Sequence, residues 1–188
     1  MEPLTRVQVL VAIAATALVL FVIARLWLLL ATVQQLPSQL GLHPIGIGLL
    51  IGTGITLISG LLYRYWPIYR RSANVYLNYI LTPLVWPDLL WLGLLPGISE
   101  ELLFRGVMLP ALGADWIALI VSSLCFGLLH MSDLRQWPYM IWATCVGALL
   151  GYSALATGNL LVPVVAHVFT NMVSSFVWKL KVTHLAAR

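Results

Sequence analysis

The chain has 188 residues, 61% of them apolar and only 9% charged, with a mean hydropathy of +0.97. A soluble domain carries roughly 25% charged residues, so this sequence cannot cover a water-facing surface and requires lipid as its solvent. The net charge of +4 is scattered, with Arg70-Arg71 the only adjacent basic pair; no basic stripe is interleaved with aromatics, which excludes a nucleic-acid partner.

A membrane-crossing helix needs about 20 mainly apolar residues, and the sequence is expected to supply about six. The first, Val7 to Val33, is far longer than the ~7–15 residues of a signal-peptide core and reads as a retained signal anchor. Arg25 near its end is expected to snorkel to the interface or to find a partner in the bundle. The second runs from Leu42 to Tyr63. Its glycines follow no strand, so Gly48-xxx-Gly52 reads as a helix-packing pair and not as a nucleotide fingerprint. Residues 64–78 read as a loop carrying Arg64, Arg70 and Arg71. The third segment extends from Tyr79 to Leu112, with Asp88 after Pro87 as a helix cap. Pro96-Gly97 is expected to kink or break it just before Glu100, leaving that residue near a helix N-terminus.

Asp115 to Met131 forms the fourth segment, its acid complementing the helix dipole. Trp137 to Ala156, with Gly147-xxx-Gly151 as a second packing pair, forms the fifth. Asn159 to Leu180 forms the sixth. Between them Asp133 and Arg135 read as a solvated pair. Cys125 and Cys145 read as buried free thiols, His43 and His184 as interfacial, and Lys179 and Lys181 as a lipid-facing basic anchor.

The positive-inside rule places Arg6, the Arg64–Arg71 stretch, Arg135 and Lys179/Lys181/Arg188 on the cytoplasmic side. The connections Gln34–Gly41 and Thr157–Gly158 carry no basic residue and belong opposite. The expected fold is therefore an all-α, polytopic transmembrane helix bundle with both termini cytoplasmic. It is one membrane domain, divisible into N-terminal helices and basic loop (1–78) and a chemistry-bearing core (79–188).

Ionisable groups at membrane depth cost about 2.5–3.5 kcal/mol each and are functional suspects. Three clusters stand out: Glu100-Glu101-xxx-Arg105, Phe126-xxx-His130 and His167-xxx-Asn171. Glu101 and Arg105 are spaced i, i+4 with the acid first, the favourable order for an ion pair. That makes them scaffold, with Glu100 turned about 100° away and free to act across the bundle as a general base. His167 and Asn171 share a helix face, and two donors aimed at one point stabilise an oxyanion.

These motifs, Glu100-Glu101-Leu-Leu-Phe-Arg105-Gly, Phe126-Gly-Leu-Leu-His130 and His167-Val-Phe-Thr-Asn171, resemble the three signatures of the CPBP family. That family comprises the CAAX prenyl endopeptidases related to Ras-converting enzyme and the bacteriocin-processing and abortive-infection type membrane proteases. The resemblance covers about Trp86 to Ser174. It implies a catalytic glutamate at Glu100 that activates water with His130, and an oxyanion pair at His167 and Asn171. Glu101, Arg105 and Phe126 would be supporting residues. Zinc held by Glu100, His130 and His167 is the alternative that the family's descriptions leave open. The scattered ligands, without a local His-Glu-xxx-His pair, favour a metal-free mechanism with no cofactor.

The implied partners are membrane lipid and a membrane-associated protein or peptide substrate. A reading of a different class keeps the same helices as a non-proteolytic binding or assembly factor for a membrane-protein complex.

Overall fold

A computed structural model of the chain describes residues 4–131 and 133–186, with side chains up to residue 183. The His184 side chain and Arg188, assigned above to the interface and the basic tail, lie outside the described residues. Among the described residues every regular element is helical: α1 (Arg6–Leu30), α2 (Leu42–Tyr65), α3 (Pro67–Leu81), α4 (Asp88–Glu101), a π-helical segment (Leu102–Met108), α5 (Leu109–Ala111), α6 (Trp116–Leu129), a 3₁₀ turn (Leu134–Gln136), α7 (Trp137–Thr157) and α8 (Leu161–Ala186).

Local chemistry explains the boundaries. Thr5 opens α1 with a capping box, its side chain accepting the Gln8 N–H while the Gln8 side chain accepts that of Thr5. Asp115 caps α6 by accepting the Ala118 N–H at 2.8 Å. α7 stops at Gly158, whose φ of 60° is the left-handed conformation that glycine adopts without steric cost.

The helices form a polytopic bundle whose connections sort to two ends. At one end Arg6 pairs with Asp88 at 2.7 Å, and Lys179 donates to the Leu81 and Leu84 carbonyls. There Trp66 meets Trp137 edge-on, their ring centroids 6.3 Å apart. At the other end Gln39 and Asn159 exchange hydrogen bonds of 3.0 and 2.9 Å, and the Leu160 N–H donates to the Pro37 carbonyl at 2.8 Å. The two connections without basic residues therefore meet, as the charge pattern required. Four helical stretches are long and apolar enough to cross a membrane: Arg6–Leu30, Leu42–Tyr65, Leu134–Thr157 and Leu161–Thr183. α4 runs unbroken through the π segment into α5. α6, with 14 residues, spans only about 21 Å, shorter than a hydrocarbon core of about 30 Å.

Close packing follows the glycines. A Cβ on Gly48 would lie 2.8 Å from the Val162 carbonyl oxygen, and one on Gly52 equally near that of Ala166, so Gly48-xxx-Gly52 is the seam between α2 and α8. Gly147 and Gly151 open a slot on α7 instead, filled by Phe126, Leu119 and the Arg105 guanidinium.

Several expectations are corrected. Residues 64–78 are no loop: Pro67, at the first turn of α3, starts a helix that buries Tyr69, Ser72, Ala73 and Leu81 on one face, a helical repeat hidden by low overall hydropathy. The third segment consequently starts at Asp88, not Tyr79. It passes through Pro96-Gly97 without a break, so Glu100 lies within a helix and not near an N-terminus. Gly97 serves packing, since a Cβ there would meet the Val168 backbone at 3.0 Å. The irregularity comes one turn later, as the π segment.

Asp88 caps no helix end; it pairs with Arg6 and accepts the Val85 N–H. Lys179 is not a lipid-facing anchor, because its ammonium satisfies carbonyls at the end of α3. Asp133 accepts the Arg135 backbone N–H at 2.7 Å and so caps the 3₁₀ turn. Cys145 is exposed and Cys125 half-buried, both as free thiols. Arg25 is exposed on α1, consistent with snorkelling.

Candidate active site

Adjacent glutamates on one helix point in different directions, and α4 uses this to separate two roles. Glu101 faces inward and is fully buried, as is Arg105 one turn on. Its Oε1 accepts from Arg105 Nη1 at 2.7 Å and from His167 Nδ1 at 2.8 Å. Arg105 in turn donates from Nη2 to the Gly147 carbonyl at 2.8 Å and lies over the Phe126 ring, 4.4 Å from its centroid. Burying such a pair is tolerable only because each charge meets its partner and further hydrogen bonds. The acid–base pair expected from the i, i+4 spacing is therefore present, and it also holds His167, which sequence spacing did not reveal.

Glu100 takes the other direction, into a cavity. Its Oε2 is buried with no hydrogen-bond partner among the described residues and lies 3.8 Å from His130 Nε2. His130 closes α6. Its backbone N–H bonds the Gly127 carbonyl, which leaves the Phe126 carbonyl to the ring Nδ1 at 2.8 Å. A carbonyl can only accept, so Nδ1 carries a proton and Nε2 is the ring nitrogen turned towards Glu100. His167, its Nδ1 engaged by Glu101, likewise has Nε2 free of that contact.

The cavity has a volume of about 240 Å³, and Glu100, Phe126, His130, His167 and Asn171 all line it. The predicted residues thus share one hollow, with Glu101 and Arg105 packed behind it. α2 and α3 supply further walls through Ile55, Ser59, Tyr69 and Tyr76, so both sides of the 78/79 division contribute. Three tyrosines escaped sequence reasoning: Tyr69, Tyr76 and Tyr139 line the same cavity. Tyr139 stacks on Tyr76 with centroids 5.3 Å apart and on Tyr69 at 6.3 Å. The spacing of Tyr69, Ala73 and Tyr76 on one helical face was the available signal. Burial pushes the Tyr69 and Tyr76 phenols up to about 12, so both stay neutral and able to donate.

Two imidazoles with Nδ1 satisfied and Nε2 available resemble metal ligands oriented by outer-shell partners. However, among the described residues no three His, Cys, Asp or Glu side chains converge on a point that would hold a metal ion.

An all-helical bundle with four stretches apolar enough to cross a membrane, gathering a carboxylate, two histidines and an asparagine around one cavity, describes a polytopic membrane protein with a polar site inside the bundle. Residues 82–173 match the family described as Type II CAAX prenyl endopeptidase Rce1-like. That segment carries the three motifs, and the match supports the resemblance that they indicated. A stretch of 81 residues is 42% identical to an uncharacterized protein, YpbD, of Bacillus subtilis. The match covers 43% of this chain and 40% of YpbD, so the chain spans well under half the length of that relative. No solved structure matches.

Proposed function

We propose that the protein is an intramembrane endopeptidase that hydrolyses a peptide bond of a membrane-associated protein or peptide, with Glu100 and His130 activating the attacking water. The observation that carries this reading is the unpartnered Glu100 oxygen 3.8 Å from His130 Nε2 inside a common cavity. That separation is too long for a direct hydrogen bond, and a water about 2.8 Å from each atom fits beside it. The base removes one water proton as the oxygen bonds to the scissile carbonyl carbon. The proton is then delivered to the amine that leaves when the C–N bond breaks.

The carbonyl oxygen, as it gains charge, is met by Asn171 and His167. Asn171 donates from its amide. His167 donates from Nε2 when the ring carries both protons, the second shared with Glu101. Such donors, fixed before reaction, are a large part of catalysis, each contributing about 10²–10³ in rate. The reading uses no metal. The end of the bundle bearing Arg6, Arg64, Arg135 and Lys179 is assigned to the cytoplasm on charge alone.

The experiment is a comparison of peptide ends in membranes of cells expressing the wild type or Glu100→Ala at equal levels. New termini that require Glu100 and His130 support the proposal. Identical profiles from wild type and both correctly inserted variants refute it.

A further inference from the structure

We propose that Tyr139 is a positioning residue that holds the His130 imidazole so that Nε2 meets Glu100, and that α3 in turn holds Tyr139 through Tyr69 and Tyr76. The inference rests on the catalytic reading of His130 given above.

His130 is the C-cap of α6, one residue beyond Leu129, with φ −91° and ψ 6°, so no following helical turn braces its side chain. The Nδ1 bond to the Phe126 carbonyl fixes one edge of the ring. Tilt about that bond is set by what lies against the faces. Phe126 lies on one side, 4.7 Å between centroids, and Tyr139 packs at 6.2 Å. Both meet the imidazole at tilted angles of 40° and 53°, contacts that restrict how far the ring can swing.

Tyr139 is itself held. Pro138 starts α7 beside it, and the stacked Tyr69 and Tyr76 rings lie at interplanar angles of 21° and 24° to it. α3 is anchored by the Tyr63 hydroxyl donating to Asn74 Oδ1 at 2.7 Å and by Lys179 at its far end. Beyond His130 the contact continues from Phe126 to His167, 5.7 Å between centroids. One line of rings therefore joins the amphipathic helix α3 to both histidines. A shift of α3 would reach the general-base pair through Tyr139.

The test uses the full chain, labelled with ¹⁵N-histidine and held in lipid nanodiscs. The four histidines are assigned by single replacement, and the tautomer of each ring is read from its nitrogen correlations. In the wild type and in Tyr139→Phe, which keeps the ring, His130 should be protonated at Nδ1. Tyr139→Ala should shift the His130 Nε2 signal, as the ring tilts about its Nδ1 bond away from Glu100, and leave the Glu101-bound His167 signal in place. Cleavage, followed on a peptide found by the comparison above, should fall roughly 10- to 100-fold in kcat with Tyr139→Ala and recover with Tyr139→Phe.

An unchanged His130 signal in Tyr139→Ala overturns the inference. Should that variant lose the His167 signal through misfolding, Tyr76→Leu, which removes a stacking partner and leaves Tyr139 in place, decides in the same way. The His130 nitrogen readout does not depend on turnover, so failure of the proteolytic reading, seen with Glu100→Ala, is distinguishable from failure of this one.

Discussion

Glu101 Oε1 lies 2.8 Å from His167 Nδ1, so the carboxylate beside the proposed base, and not the base itself, holds the second histidine of the site. The same oxygen accepts from Arg105. One buried carboxylate therefore links three helical segments, and its neighbour is left free in the cavity.

Loss of that carboxylate should be costly. Glu101→Gln leaves Arg105 buried without a counter-charge, a change of about 3–5 kcal/mol. Thermal unfolding in detergent should show a large fall in midpoint for Glu101→Gln and a small change for Glu100→Gln. Equal midpoints would show that the pair contributes little.

Gly147 should tolerate no side chain. A Cβ there would sit 3.1 Å from Phe126 and 3.2 Å from the Arg105 guanidinium, and overfilling such a slot costs about 1–3 kcal/mol. Gly147→Leu should destabilise the detergent-solubilised protein and abolish cleavage. Gly54→Ala, where nothing lies within 4 Å, should be neutral or stabilising by up to about 1 kcal/mol from helix propensity.

Much of the fold is written in hydropathy. Long apolar runs such as 7–33 and 137–156 became α1 and α7 because lipid demands that each span satisfy its own backbone. α3 was hidden because half its surface is polar, so its repeat shows only when Tyr69, Ala73 and Tyr76 are read at helical spacing. The Glu101–Arg105 pair was legible because i, i+4 contacts are local. The Glu101–His167 bond was not, since it joins residues 66 positions apart and depends on how α4 packs on α8. The uninterrupted passage of α4 through Pro96 was equally invisible, because packing against α8 at Gly97 overrides the local preference.

Cleavage should survive chelation. No trio of metal-ligating side chains converges among the described residues, so prolonged treatment with a strong zinc chelator should leave the turnover of purified protein unchanged. Loss of activity restored by added zinc would instead make Glu100, His130 and His167 ligands.

Orientation is open to direct labelling. In a chain lacking Cys125 and Cys145, Gln39→Cys should react with an impermeant thiol reagent from the outside and Arg135→Cys only from the cytoplasmic side. The reverse pattern would invert the assigned topology while leaving the site intact.

The most direct test is to incubate purified protein in proteoliposomes, in H₂¹⁸O, with a membrane peptide whose ends depend on Glu100. The wild type should release fragments carrying ¹⁸O in the new carboxylate, and Glu100→Gln and His130→Ala should release none. Labelled fragments formed at the wild-type rate by either variant would contradict the assignment of that pair as the water-activating base.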